Sequence, residues 1–174
     1  MNNKDKIEFI VGWITDYVDK MPNPAKSLIV GVSGGIDSAL TSTLASMTGL
    51  QTHALSMPIN TSPKSNNLGE VHGLWLKEKF NNTNYMTIDL TSTYKEFNSL
   101  LINSNQDSDL GFANSKSRLR MVTLYQVAAA QGGIVVGTGN KVEDFGVGFY
   151  TKYGDGGVDI SPIADLMKSE VHSL

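Results

Sequence analysis

The chain holds 174 residues, with 14 Lys and Arg against 17 Asp and Glu, a formal net charge of −3 near neutral pH, and no cysteine. That length suits one substantial α/β domain and leaves no room for a large second one. The mixed-sign, slightly acidic balance argues against a nucleic-acid surface, and a chain without cysteine has no disulfide, thiolate nucleophile or sulfur-ligated metal.

In chain order, residues 4–20 carry Ile7, Ile10, Val11, Ile14, Tyr17 and Val18 at i, i+3, i+4 spacing, which predicts an amphipathic helix. With the proline linker after it, this helix forms the segment 1–24 within a single domain spanning 1–174. The polar breaks Asp5 and Glu8, and the lack anywhere of the roughly 18 consecutive apolar residues a membrane span needs, argue against a membrane partner and for a cytoplasmic setting. Residues 27–32 read as a buried strand. They run into Ser33-Gly34-Gly35-Ile36-Asp37-Ser38 and a helix over 36–47 whose inward face is Ala39, Leu40, Leu44 and Met47.

That strand–turn–helix order places unpaired backbone N–H groups, two hydroxyls and a carboxylate where phosphate could sit. It lacks the Gly-x-Gly-x-x-Gly fingerprint, and no Gly-Lys-Ser/Thr follows the glycines, so it is neither a dinucleotide turn nor a Walker A loop. It resembles the pyrophosphate-binding loop of the ATP pyrophosphatases, which split ATP between its α and β phosphates to adenylate an oxygen. Asp37 would repel triphosphate unless a Mg²⁺ bridged them. The plainer reading is a β-to-α turn with Ser33 or Ser38 capping the helix.

Further along, 52–57 reads as a second strand ending at Pro58, and 59–67 as a polar loop over the carboxyl edge of the sheet. A helix over 68–80, a strand over 85–90 and a helix over 91–101 follow. Residues 103–109 form a polar interruption and candidate mobile loop. The long helix 113–131 has apolar residues on two adjacent sides, Leu119, Val122, Tyr125 and Ala129 beside Met121, Leu124 and Ala128. Such breadth suits either burial or a subunit contact. A strand at 134–136, a glycine-rich loop over 137–157 and a helix from about Asp165 complete the chain. The alternation predicts a Rossmann-like, mostly parallel sheet with helices on both faces. Because the last helix is only beginning at Leu174, a missing C-terminal segment is expected. His53, His72 and His172 have no metal-ligand spacing and read as structural or exposed.

Three stretches taken in order, the Ser33 loop, Gly137-Thr138-Gly139-Asn140-Lys141-Val142-Glu143 and Tyr150-Thr151-Lys152-Tyr153-Gly154-Asp155-Gly156-Gly157-Val158-Asp159, with Arg118-Leu119-Arg120-Met121 between the first two, resemble the ammonia-dependent NAD⁺ synthetases. The resemblance covers nearly the whole chain. It implies an adenine nucleotide alpha-hydrolase-like fold and a homodimer partly joined through the 113–131 helix. It also implies a ligase of NAD biosynthesis that takes ATP, deamido-NAD⁺ (nicotinic acid adenine dinucleotide), ammonia and Mg²⁺, and releases NAD⁺, AMP and pyrophosphate.

Carried over residue by residue, Gly31, Val32, Ser33, Gly34, Gly35, Ile36, Asp37 and Ser38 would hold ATP phosphate, with Thr138 and Lys168 as further ATP contacts. Asp37 and Glu143 would ligate the metal. Arg118, Lys152 and Asp159 would hold deamido-NAD⁺. Family members often carry a basic residue after the second strand. Here Ser56-Met57-Pro58 stands instead, so Met57 is assigned to adenylate recognition through packing.

Independently of the resemblance, two carboxylates at the carboxyl ends of separate strands invite a hard cation, since ligands of parallel α/β sheets bind there. The resemblance also implies that Lys168 balances charge as pyrophosphate leaves, where a lone lysine opening a helix otherwise reads as surface. Spacing alone does not choose between Arg118 and Arg120, which point in different directions from one helix. Asp155 is a candidate to hydrogen-bond a ribose or to orient or deprotonate ammonia. Phe112, Phe149, Tyr150 and Tyr153 offer stacking surfaces or core. Free ammonia is the expected nitrogen source, because the thiolate route to glutamine hydrolysis needs a cysteine. Competing readings are another ATP pyrophosphatase, such as a GMP synthetase or tRNA-thiolation relative, and a non-catalytic nucleotide-binding module.

Overall fold

The computed structural model describes residues 1–59 and 63–174. Strand β1 (Ser27–Gly31) pairs in parallel with β2 (Gln51–Ser56) on one side and β4 (Gly133–Val136) on the other, and β3 (Thr83–Thr87) extends the sheet beyond β2. The order β3-β2-β1-β4 reverses direction between β1 and β4, the place where a parallel α/β sheet opens a crevice at its carboxyl edge.

Leu28 to Val30 of strand β1 form a continuous apolar run because both faces of the strand are covered. Leu28 and Val30 join a core with Ile10, Ile14, Val18, Leu44 and Ile163, while Ile29 faces the opposite core of Leu55, Tyr94, Ala128 and Val135. Helix α1 (Asn3–Asp19) starts where the Asn2 side chain accepts from Asp5 N, and its i, i+4 positions Ile10, Ile14 and Val18 are buried. Each such burial is worth about 1.5–3 kcal/mol. Helix α2 (Ile36–Met47) departs from the expected inward face. Met47 is 44% exposed, and the helix instead buries Ser38, Thr41, Ser42, Ala45 and Ser46 beside Leu44. Small residues allow close packing, and Ser42 and Ser46 satisfy their hydroxyls on the carbonyls of Ser38 and Ser42 at 2.7 Å each.

Other boundaries also move. Helix α3 (Pro63–Lys79) begins five residues before the expected start, since proline is well suited to a helix's first turn. Residues 60–62 of the expected loop lie outside the described residues. Strand β3 sits earlier than the expected 85–90, with Thr83 buried, although Ile88 N and Leu90 N still donate to Ser56 O and Pro58 O. Helix α4 (Thr91–Asn103) is followed by α5 (Asp109–Gln131), which takes up the end of the supposed polar loop because Ser108 caps it by accepting from Gly111 N at 3.2 Å. Gly132 ends α5 in the left-handed region at φ 60°. Within the glycine-rich stretch after β4 there is a π-helical turn (Val142–Gly146), and α6 (Lys168–Ser173) begins at Lys168 rather than near Asp165. Among the described residues no helix is long and apolar enough to cross a membrane.

Candidate functional site

Strand β1 delivers the chain to the carboxyl edge, and Val32 N still bonds Leu55 O at 2.7 Å before the turn begins. Gly34 then adopts φ +87°, and a Cβ there would lie 2.9 Å from Gly69 N and 3.0 Å from Leu68 Cβ. Glycine is required twice over, by torsion and by the close approach of α3. The loop is braced by its own hydroxyls. Ser38 Oγ donates to Gly35 O at 2.8 Å and lies 3.2 Å from Ser33 Oγ, while Ser33 Oγ accepts from Gly35 N at 3.2 Å.

Ser38 is buried, and its hydroxyl braces the loop. The N-cap of α2 is Gly35, with no side-chain cap. The reading of this segment as an ordinary turn capped by Ser33 or Ser38 is therefore not what the chain forms. The first N–H groups of α2 are left to an external acceptor, at the positive end of the helix.

The next residues come from β4. Thr138 follows the strand, and Asn140, with 0% exposure, precedes the π-helical turn that carries Glu143 and Asp144. Lys168, opening α6, joins the two expected carboxylates. Its Nζ donates to Asp37 Oδ2 at 2.5 Å and to Glu143 Oε1 at 2.9 Å. These bonds hold the Lys168 ammonium above its usual pKa, the bond to Asp37 contributing most. Asp37 and Glu143, from turns 106 positions apart, thus converge on one cation position.

That convergence is the test for a metal, and the residues fit: two carboxylate oxygens already share a positive charge. They are too few alone, and among the described residues no group of three or more His, Cys, Asp or Glu is arranged to hold an ion. A Mg²⁺ at this position would need phosphate oxygens to complete its shell.

Two adjoining cavities open on this side of the sheet and share Ser33, Ser38, Thr138 and Asp155, the smaller of them reaching the two carboxylates. The smaller, about 180 Å³, is lined by Asp37, Glu143, Asp144 and Asp155 with Gly35 and Phe149. Burial, then the charges of Asp155, Glu143 and Asp37, pushes the Asp144 carboxyl upward. The larger, about 400 Å³, lies over Gly31, Met57, Leu124, Val136 and Val158, with Arg120 on its wall. Met57 lines the larger cavity and Thr138 lines both, and Asp155 faces both spaces while accepting from Thr151 N at 3.0 Å.

The three residues expected to hold the dinucleotide lie elsewhere than these linings. Arg118 Nε donates to Lys152 O at 3.2 Å, which brings two of them together, and Lys152 Nζ sits 4.9 Å from the centre of the Tyr153 ring. Asp159 accepts from Val135 N at 2.7 Å and from the Tyr125 hydroxyl at 3.0 Å. Burial, with this carboxylate, pushes that hydroxyl up to about 12. Phe112 packs in the core with Leu90 and Tyr94, whereas Phe149, Tyr150 and Tyr153 are exposed.

Sequence reasoning assigned no role to Asn140, Asp144 or Arg120. Arg120 Nε donates to Met57 O at 2.9 Å, burial lowers its pKa, and no carboxylate pairs with it among the described residues. The signal lay in the Arg-Leu-Arg spacing, where one arginine had to face inward. Asn140 lay within a quoted motif, where Asn-x-x-Glu is a local side-chain-to-backbone pattern.

Comparison with known proteins matches the model of the NAD synthase family to residues 6–174. The chain is 40% identical over 164 residues to the NH(3)-dependent NAD(+) synthetase of Mycoplasma genitalium, covering 93% of this chain and 63% of that protein. The chain therefore spans less than two thirds of that relative's length. Among solved structures, an NMN synthetase from Francisella tularensis superposes with a TM-score of 0.86 at 34% identity, covering 98% of this chain and 68% of that one. The NH3-dependent NAD synthetase from Campylobacter jejuni, in complex with the nitrate ion, also gives 0.86, at 31% identity, covering 99% and 72%.

Proposed function

From the premise that the chain belongs to the NAD synthase family, we propose that it amidates deamido-NAD⁺ with ammonia, consuming ATP through an acyl-adenylate and releasing NAD⁺, AMP and pyrophosphate. The observation that carries this reading is the convergence of Asp37 and Glu143 on the Lys168 ammonium, beside the uncapped N-terminus of α2.

A carboxylate is a poor electrophile because its leaving group is oxide. One carboxylate oxygen attacks the α-phosphorus, the bond to the bridging oxygen of pyrophosphate breaks, and the acid becomes an acyl-adenylate. Ammonia adds to that carbonyl, loses a proton and expels AMP. The protein's work is placement and charge compensation. The free backbone N–H groups at the start of α2 hold the phosphates, Lys168 moves from its carboxylate partners to the departing pyrophosphate, and Thr138 and Met57 bracket the nucleotide. Mg²⁺, held by Asp37 and Glu143 when bound with ATP, supplies the positive charge that lets a carboxylate-lined cavity accept triphosphate. Asp155, which lines both cavities, takes the ammonia proton. Arg120, a desolvated cation in the larger cavity, faces the acid or its adenylate.

Arg118, Lys152 and Asp159 are assigned to the dinucleotide beyond the cavities. A second copy of the chain supplies the other side of that site through α5, where Leu110 is 73% and Val122 57% exposed; Phe97 and Leu100 of α4 are exposed as well.

The test is an assay with ATP, Mg²⁺, ammonia and either deamido-NAD⁺ or nicotinate mononucleotide. NAD⁺ and AMP in equal amounts, dependent on the dinucleotide, is the expected result. ADP, or AMP formed without an acceptor, overturns the reading. Preference for the mononucleotide would favour the second reading, suggested by the likeness to the Francisella protein, of the same chemistry on a smaller acceptor.

A further inference from the structure

Asn140 is a polar side chain with 0% exposure whose amide is used at both ends. Its Nδ2 donates to Asp37 Oδ1 at 2.9 Å. Its Oδ1 accepts from Val142 N at 3.0 Å and from Glu143 N at 3.1 Å. We propose that Asn140 is a positioning residue that sets both acidic side chains of the site, turning Asp37 so that Oδ2 faces the shared cation position and starting the turn that brings Glu143 back toward it. This rests on the reading of Asp37 and Glu143 as the metal carboxylates.

The geometry selects this residue type. Asp37 needs a donor on the oxygen that does not face the cation, while the start of the π-helical turn leaves N–H groups that need an acceptor. Only an amide offers both from one short side chain. An aspartate would keep the acceptor and set an oxygen against Asp37 Oδ1, and a serine is too short to span both partners. Flipping the amide would aim its NH₂ at two N–H groups and its oxygen at a carboxylate, so the network fixes the orientation. The neighbours hold the same arrangement. A Cβ at Gly139 would collide with the Asp144 carboxylate, and Lys141 N donates to Leu166 O at 3.0 Å, tying the segment just before Lys168 to this turn. One buried amide therefore couples α2 to the π-helical turn, and the Lys141 backbone ties that turn to the approach to α6. Partners of this kind, one bond removed from an ion, typically hold about 10–100-fold of its affinity.

The deciding experiment measures Mn²⁺ binding in the presence of ATP, by electron paramagnetic resonance, for the parent chain, Asn140→Asp, Asn140→Ser, Asp37→Asn and Glu143→Gln, with thermal melting beside each. Asn140→Asp, which loses the donor to Asp37 and sets a carboxylate beside it, is expected to melt below the parent while staying folded at the assay temperature, to bind Mn²⁺ about 10-fold or more weakly, and to lower kcat with the KM for ammonia unchanged. Parent-like or tighter Mn²⁺ binding by Asn140→Asp overturns the inference, because it would mean that charge at this position, rather than orientation, governs the site. Should Asn140→Asp fail to fold, Asn140→Ser gives the same reading, weakened binding supporting the inference and parent-like binding overturning it. If Asp37→Asn and Glu143→Gln leave Mn²⁺ binding unchanged, the metal reading beneath it has failed instead, and the inference falls with it.

Discussion

Lys168 Nζ lies 2.5 Å from Asp37 Oδ2 although 131 positions separate the two residues in the chain. The bond joins the first turn of α2 to the first residue of α6, and Glu143 completes the bridge from a third element. Without a nucleotide, the ammonium is the cation that lets two carboxylates approach. With one, the proposed mechanism turns the same group toward the phosphates.

Replacing that ammonium should separate catalysis from folding. Lys168→Met is expected to lower kcat by roughly 10²–10³, the scale for removing one group that stabilises developing charge. Its melting temperature should change little, because the lysine side chain is 36% exposed and its ion pairs are screened by solvent. Steady-state kinetics and circular dichroism on the same samples check both halves. A large fall in melting temperature with kcat preserved would make Lys168 a structural strut.

Stability should weaken on the acid side because of His53. The ring is 5% exposed on β2, neither nitrogen has a partner among the described residues, and burial lowers its pKa from the usual 6.5. Below pH 6.5 the unfolded chain takes up a proton that the folded chain refuses, so this contribution is complete above that pH and is lost as pH falls toward the folded value. Burial lowers His72 in the same direction. Urea midpoints measured from pH 8 to pH 5 should fall, and His53→Leu should flatten the slope without lowering stability at pH 8. An unchanged slope in that variant would remove His53 from the account.

Gly73 should tolerate no side chain. A Cβ there would overlap the Tyr85 ring, which lies against α3 at this point. Gly73→Ala is expected to destabilise the fold by about 1–3 kcal/mol, as overpacking does. Pairing it with Tyr85→Ala should recover part of the loss in urea unfolding, and equal loss in single and double variants would place the cause elsewhere.

The sheet and its parallel sense were legible because apolar runs alternated with 3.6-period segments, and β1 with the Ser33 loop stood out through glycine spacing. Element boundaries were less so. Pro63 looked like loop punctuation when it is helix-opening, and Ser108 looked like loop when it is a cap. Around β3 the apolar weight at Ile88 and Leu90 drew the expected strand toward residues that continue the pairing without belonging to it. Within the site, Asp37, Glu143 and Lys168 were named in advance, the last two by resemblance rather than spacing. Asn140 was not, because its importance is a matter of two bonds to backbone and one across 103 positions. The π-helical turn bearing Glu143 has no local signature, since its i→i+5 closure, Val147 N to Val142 O at 2.9 Å, is imposed by those contacts.

The most direct measurement of the central claim follows the acid's oxygens. Deamido-NAD⁺ carrying ¹⁸O in both oxygens of its nicotinate carboxylate, turned over with ATP, Mg²⁺ and ammonia, should yield AMP with one ¹⁸O in its phosphate and NAD⁺ with one ¹⁸O in its amide, as read by mass spectrometry. Unlabelled AMP, or nucleotide product in the form of ADP, would mean that the carboxylate never attacked the α-phosphorus and would contradict the account.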